Sequence, residues 1–423
     1  MPLALVAPQE AMGRLFDANG SRSEPTITRS LMQLEVQMTK SNDLNMSLVP
    51  FKQDACVVAV VELSQSNWLV AAAVPGIERQ PLKKLEPDEE ALLRLLHRWR
   101  DESAGKGHEI NRIAVAYEAG RDGFWLARWL LRHGIDVQVI HPTSIAVSRE
   151  HRRAKTDRLD TALLMRAFLG WLRGETGHCR MAAVPTLAEE DAKRPSREHE
   201  TLAGECTRTI NRLKSALVRL GIRDFNPKLR GAQGGLEALL TPEGEPIPPN
   251  TLREMNNELA RLAFIRAQMK ATERARLERI KEAPNAGTNS MVQSLTKVVG
   301  IGIETADMLV HEVLARDLRD RRAVARIAGL TGSPDESGAR RREKGLSKAG
   351  NARVRRGMIE LAWRFLQHQK ESALAAWFRS RVEAPGVRKK TMIVALARKL
   401  LIALWRLVQT GEVPRGVVLR QTA

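Results

Sequence analysis

The sequence is poor in the residues that usually announce a reactive site. It has three cysteines, one tyrosine and only 4% aromatic residues in 423. Cys56, Cys179 and Cys206 stand far apart with no C-x-x-C pair, which argues against a disulfide framework and against a cysteine zinc site and suits a reducing compartment. The nine histidines show neither H-x-x-x-H nor H-E-x-x-H spacing, so a histidine zinc centre is unsupported as well. Long apolar runs are missing too. Val57 to Val61 is too short to cross a bilayer, and Met392 to Val408 is broken by Arg398, Lys399 and Arg406. With no secretion signal evident, the expectation is a cytoplasmic protein that does not enter a membrane.

Positive charge is what the chain has in excess. Lys and Arg number 68 against 49 Asp and Glu, a formal charge of +19, the footprint of a polyanion binder. Residues 340–356 (RRREKGLSKAGNARVRR) hold eight Lys or Arg against one acid, so this segment alone supplies a net +7. Nucleic acid is therefore the leading partner. For such a partner, Tyr117 is a poor nucleophile, since it lies inside the apolar run Arg112 to Glu118 (RIAVAYE), and tyrosine-based strand exchange is close to excluded. The length and the 43% hydrophobic content predict two or three domains.

Residues 1–50 mix Pro, Gly, Ser, Asn and Gln without a sustained period and read as a disordered extension, with Met46 just before the first strand-like run. Val57 to Leu63 and Trp68 to Val74 read as hairpin-connected strands, with a third strand near Glu78 to Leu82. A helix over 87–101, a strand over 112–118, a helix over 123–133, a strand over 136–140 and a helix over about 156–173 follow. That order predicts an α/β RNase H-like domain over residues 54–180. Residues 187–286 form a helical region in which Leu252, Met255, Leu259 and Leu262 alternate at three- and four-residue steps, suiting either a coiled-coil seam between chains or a helix packed within one chain. Residues 290–423 are expected to be all-α.

Four acids have the placement of a metal site. Glu62 closes the first strand, Glu118 closes the fourth, and Asp157 and Asp160 are three apart on one helical face. Hard carboxylate oxygens suit Mg²⁺ or Mn²⁺, and a metal pair stabilises both the attacking and the leaving oxygen of a phosphodiester displacement. Each acid alone also suits a solvated strand end, a helix cap or an ion pair with Lys155 or Arg158. Further on, Gly300 and Gly302 read as a turn entering a helix whose N–H groups could receive a phosphate. The loop at 331–338 places serines in a cationic setting, where a hydroxyl could attack phosphorus and the cations offset the developing charge. An ordinary Ser-Gly turn accounts for the same residues. Arg340, Arg341, Arg342, Lys344, Lys348, Asn351, Arg353, Arg355 and Arg356 are the expected nucleic-acid contacts, joined by Lys155 and Arg158.

Five segments taken together resemble the insertion-sequence transposases of family 110/1111, which are related to the Piv and MooV invertases. They are VVAVVELSQSNWLVAAA, VAYEAG, HPTSIAVSREHRRAKTDRLDTALL, VVGIGIETADMLV and AGLTGSPDESGARRREKGLSKAGNARVRRGMIELAW, covering about residues 54–370. The resemblance implies a RuvC-like fold with a D-E-D-D tetrad. Glu118, Asp157 and Asp160 match its last three members, and Glu62 stands where the family has an aspartate, one methylene shorter. It also implies a serine nucleophile in the C-terminal transposase domain, with Ser337 the matching candidate and Ser333 and Ser347 the alternatives. The implied partners are donor and target DNA, a structured non-coding guide (bridge) RNA, and further copies of the chain as a dimer or tetramer. Two other readings use the same residues differently: a RuvC-like junction resolvase needs the acids but no serine, and a non-catalytic nucleic-acid-binding regulator needs neither.

Overall fold

The computed structural model describes residues 46–47, 49–120, 123–145, 157–229, 231–337, 340–347 and 349–420; for 143, 157–158, 334–337 and 340–344 it describes the backbone only. Lys155, Lys348 and nearly all of the extension 1–50 before Met46 lie outside the described residues. The chain divides into two compact units, Met1–Val184 and Pro185–Ala423.

The first unit is built on a six-stranded sheet in the order β3-β2-β1-β4-β5-β6. Its strands are β1 Cys56–Leu63, β2 Trp68–Ala73, β3 Leu82–Leu85, β4 Arg112–Glu118, β5 Asp136–Ile140 and β6 Met181–Ala182. β1 runs parallel to β4 and β4 to β5, while β2, β3 and β6 pair antiparallel with their neighbours. β1 is buried from Cys56 to Val61, which explains why its sequence is a continuous apolar run rather than an alternating one. One face packs on α1 (Glu89–Ala104) and α2 (Trp125–Arg132) through Leu92, Leu96, Trp99, Leu126 and Leu130. The other packs on α3 (Asp157–Leu172) through Leu164, Phe168 and Trp171. The third strand begins at Leu82, where the sequence reading ended it. Before it come Pro75 and the left-handed Gly76, which fit the turn rather than the ladder.

The second unit opens with α4 (Leu187–Asp191), started by a capping box between Thr186 and Glu189. It continues with α5 (Arg194–Arg219), α6 (Ala232–Glu237) and the 34-residue α7 (Pro249–Glu282). The ion pairs His199–Glu273 and Arg212–Glu258 advance along α5 while receding along α7, so these two helices are antiparallel. Met255, Leu259 and Leu262 pack against Ile210, Leu213 and Leu217 of α5. The leucine stripe of α7 is thus covered within one chain, the second of the two arrangements its spacing allows.

Beyond it lie α8 (Gly287–Thr296), α9 (Ile303–Leu309) running into a π turn at Val310–Leu314, α10 (Arg321–Ile327), α11 (Ala352–His368), α12 (Ala373–Val382) and α13 (Lys389–Thr410). Their core is formed by residues such as Leu309, Val313, Met358, Phe365, Leu400 and Leu404. This segment is not all-α as its sequence suggested. Between α10 and α11 the chain forms the antiparallel hairpin β7 (Gly332–Ser337) and β8 (Arg340–Leu346). Pro334, Gly345 and four cations gave no strand-like apolar alternation, because a two-stranded ribbon can be held by its ladder without burying a face of its own.

Candidate active site

The parallel register of β1 and β4 ends at Val61 opposite Tyr117, and Glu62 and Glu118 are the next residue on each strand. Alternation fixes their direction. Val58 and Val60 share a core with Ala114, Ala116 and α3, so Glu62 and Glu118, in phase with them, lie on the α3 face of the sheet at its carboxyl edge. Ile140, the partner of Glu118 in β5, belongs to the same core. Glu62 is half-buried and Glu118 exposed.

Asp157 and Asp160 both fall in the first turn of α3, where the helix dipole favours negative charge. Asp160 is half-buried, one turn before the buried Leu164 and on its stripe. Among the described residues no three His, Cys, Asp or Glu side chains gather closely enough to hold an ion, and the Asp157 side chain is outside that description. The donor types present, carboxylates only, are those that Mg²⁺ or Mn²⁺ takes.

Tyr117 is fully buried, donates its phenolic hydrogen to the Gly123 carbonyl at 3.2 Å and accepts from the Ala127 N–H at 3.2 Å. It ties the segment after Glu118 to the start of α2 and is a structural residue. The thiols of Cys56 and Cys179 are buried and pushed up to about 11 by loss of solvation, which makes them inert at neutral pH.

In the second unit, Ser337 is the last residue of β7 and pairs with Arg340, while Asp335 and Glu336 pair with Arg342 and Arg341 across the ladder. Ser333 is half-buried in the same strand. Ser347 is exposed at the hairpin root, its hydroxyl 3.2 Å from that of Thr331. The basic run is thereby split between a ribbon and a helix. At the helix, Arg356 pairs with Glu200 at 2.7 Å, and Arg353 pairs with both Glu200 and, at 3.8 Å, Glu312. Arg355 is half-buried, and its guanidinium stands where a side chain at Gly329 would be.

Asn351 is the N-cap of α11, accepting from the Arg353 and Val354 N–H groups. Gly300 and Gly302 form a turn held by the C-terminal tail, with Gln369 donating to Val299 and Val418 and the Val299 N–H bonded to the Val418 carbonyl. The short helix after it carries Glu304 in its first turn, ion-paired with Arg276.

A buried ionic network lies behind these features, and sequence reading passed over it. Arg276 and Asp307 are fully buried and hydrogen-bonded at 3.0 Å, with Arg279 at 2.6 Å and His311 at 3.4 Å from the other Asp307 oxygen. Burial pushes the Asp307 carboxyl up, but His311, Arg276 and Arg279 outweigh it and hold the group below its usual range. For Glu304 burial prevails over Arg276 and His199, and its carboxyl is raised. The signal was acid placed inside an apolar helix pattern, as Asp307 and Glu312 are in ETADMLVHEVL.

Comparison with known proteins gives these features a family. Residues 292–377 match the model of the Transposase IS116/IS110/IS902 family, and residues 70–222 match a second transposase model, the DEDD domain of the IS110 type. The chain is 39% identical over 371 residues to "Putative transposase y4rJ" of Sinorhizobium fredii (strain NBRC 101917 / NGR234), covering 85% of this chain and 93% of that protein. The chain belongs to the IS110 family of transposases. The DEDD match and the mixed sheet together make the first unit an RNase H-like α/β unit, and the family implies a protein that acts on DNA. The first match takes in Gly300, Gly302, Ser337 and the basic run, and the second takes in Glu118, Asp157 and Asp160 but starts after Glu62. Among the described residues no helix is long and apolar enough to cross a membrane.

Proposed function

We propose that this IS110-family transposase cuts and rejoins DNA with two sets of residues, the acids Glu62, Glu118, Asp157 and Asp160 and the nucleophile Ser337. The observation that carries the reading is the placement of Glu62 and Glu118 as in-register neighbours at the carboxyl edge of the sheet, on the face covered by the helix that begins at Asp157. These four residues would hold Mg²⁺ or Mn²⁺, which when bound supplies charge stabilisation at the reacting phosphate.

The Ser337 hydroxyl attacks the scissile phosphorus and forms a phosphoserine ester as the bond to the leaving DNA oxygen breaks. The serine proton ends on that departing hydroxyl. Rejoining reverses the exchange: a DNA hydroxyl attacks the phosphoserine, the DNA phosphodiester re-forms and Ser337 recovers its proton. No outside energy source is needed, because each step exchanges one ester for another. Arg340, Arg341, Arg342 and Lys344, on the strand that returns from Ser337, act as phosphate contacts and offset charge on the five-coordinate phosphorus.

The finer family features belong to the same proposal: a non-coding guide RNA, a dimer or tetramer at synapsis, a helical region over 187–286 and a cytoplasmic, nucleoid-associated life. The test is a trapped covalent adduct between the full-length protein and DNA carrying the element's ends. It should form with wild type and vanish with Ser337→Ala. Loss with Ser333→Ala or Ser347→Ala instead would move the nucleophile, and metal-dependent cleavage with no adduct in any protein would favour a plain nuclease.

A further inference from the structure

The hairpin that carries Ser337 leaves the helical body after Gly329 and returns to it at Gly350, and at these two residues the chain crosses itself backbone to backbone. Both glycines are left-handed, with φ +63° and +96°. A Cβ on Gly329 would fall 2.3 Å from the Ala349 carbonyl oxygen, and one on Gly350 would fall 2.4 Å from the Arg326 carbonyl oxygen. The Asn351 N–H donates to the Ile327 carbonyl at 2.6 Å and the Ser347 N–H to the Thr331 carbonyl at 3.0 Å. The root of the hairpin is therefore closed by main-chain contacts that admit no side chain.

Asn351 completes this crossing and also starts α11. Its side-chain oxygen accepts from the Arg353 N–H at 3.0 Å and the Val354 N–H at 3.3 Å, and its amide Nδ2 donates to Glu312 Oε2 at 2.9 Å. Glu312 is only 2% exposed and sits in the π turn Val310–Leu314, a helix irregularity that occurs often at functional sites. Its other oxygen accepts from Arg197 Nε at 3.1 Å. Burial pushes this carboxyl up, but the Arg197 and Asn351 hydrogen bonds and the Arg197 and Lys193 charges outweigh it, so Glu312 is held ionised. A buried carboxylate fixed by Arg197 thus dictates which way the Asn351 amide faces. The cap needs an oxygen toward α11, and Glu312 takes the nitrogen.

We propose that Glu312, acting through Asn351, is a positioning residue that fixes the hairpin presenting Ser337. The catalytic consequence rests on Ser337 being the nucleophile; the fixing of the hairpin does not.

Asn351→Asp separates the two roles. Aspartate caps a helix as well as asparagine does, but its second oxygen would meet the Glu312 carboxylate instead of donating to it. In the full-length protein this variant should show amide exchange in residues 332–346 faster by about tenfold, and strand exchange slower by about tenfold, as expected for the loss of one charge-assisted hydrogen bond. Glu312→Gln combined with Asn351→Asp restores a donor opposite an acceptor, because the amide nitrogen of the new glutamine faces the aspartate. This double variant should recover most of both the protection and the rate.

Wild-type protection and rate in Asn351→Asp would overturn the inference. So would a double variant as impaired as Asn351→Asp alone, including one in which both fail to fold. An adduct that persists in Ser337→Ala removes the nucleophile reading and leaves the amide-exchange result to judge the positioning by itself.

Discussion

Glu62 and Glu118 occupy adjacent parallel strands, each one residue past the last pair those two strands form with each other, Val61 opposite Tyr117. The sheet thus delivers two carboxylates side by side from residues 56 apart in sequence without asking either to leave the ladder's alternation. Because β1 and β4 are buried on both faces, neither strand can slip by a residue without turning its apolar set and its acid to the other side.

Removal of one acid should therefore affect chemistry and not DNA affinity. Glu118→Ala and Asp157→Ala are each expected to lower strand exchange by more than the roughly 10–100-fold typical of residues that only support a metal ligand. Binding to DNA should be largely retained, since the proposed phosphate contacts are cations elsewhere in the chain. Single-turnover recombination measured beside a gel-shift assay checks this. Wild-type rates in either variant would remove it from the tetrad.

By the resemblance, Glu62 stands where an aspartate of the proposed tetrad is expected, and the two acids differ by one methylene. Glu62→Asp is expected to keep substantial activity and Glu62→Gln to lose it, because the amide keeps the shape but not the charge that a divalent ion requires. Equal activity of Gln and Glu at this position, assayed across a Mg²⁺ titration, would show that Glu62 is not a ligand.

The cations of residues 340–356 should not behave alike. Neutralising Arg341 and Arg342, which lie on β8, is expected to weaken binding to all DNA sequences and to reduce the slope of log K against log salt by roughly 0.9 for each phosphate that is no longer neutralised. Arg356→Gln should change that slope less, since Arg356 already pairs with Glu200 at 2.7 Å. Salt titrations of the three variants decide between a ribbon surface and a helix surface.

Acid should loosen the second unit. Asp307 and Glu312 have carboxyls held below their usual range, so folding favours their ionised forms. The stability they contribute is present above the unfolded-state values and is lost as pH falls through the depressed folded values. Glu304 has the opposite sign, its raised carboxyl giving up its contribution as pH rises through that value. Thermal stability is expected to fall on acidification below the ordinary carboxylate range, with a lower and flatter profile in Asp307→Asn. Asp307→Ala, which strands the fully buried Arg276 without its closest buried partner, should cost about 3–5 kcal/mol at neutral pH.

The first unit was largely legible in the sequence because its elements obey single periods. The fifth strand is Asp136–Ile140 as its apolar run marked it, and the helix over about 156–173 is Asp157–Leu172. A strand buried on both faces cannot hide its apolar run, and an acid closing such a run stands out. The hairpin was not legible. Its strands carry Pro334, Asp335, Glu336 and a line of arginines, and its geometry is set at the root by Gly329 and Gly350, which the sequence separates by twenty-one residues. The role of Asn351 was hidden for a related reason. Its sequence neighbours are cations, which pointed to phosphate, whereas its amide answers to Glu312, thirty-nine residues away.

The self-crossing at Gly329 and Gly350 also makes residues 330–349 an exchangeable cassette. What fixes how the cassette joins the body lies at its root: the backbone contacts of Gly329, Ala349 and Gly350, the Leu330 side chain buried in the helical core, and the Ser347 N–H to Thr331 carbonyl bond. A change of length or charge at its far end is therefore expected to leave these root contacts in place. Relatives that keep the two glycines could then differ in which DNA ends they accept by altering this ribbon alone, with the helical body inherited unchanged.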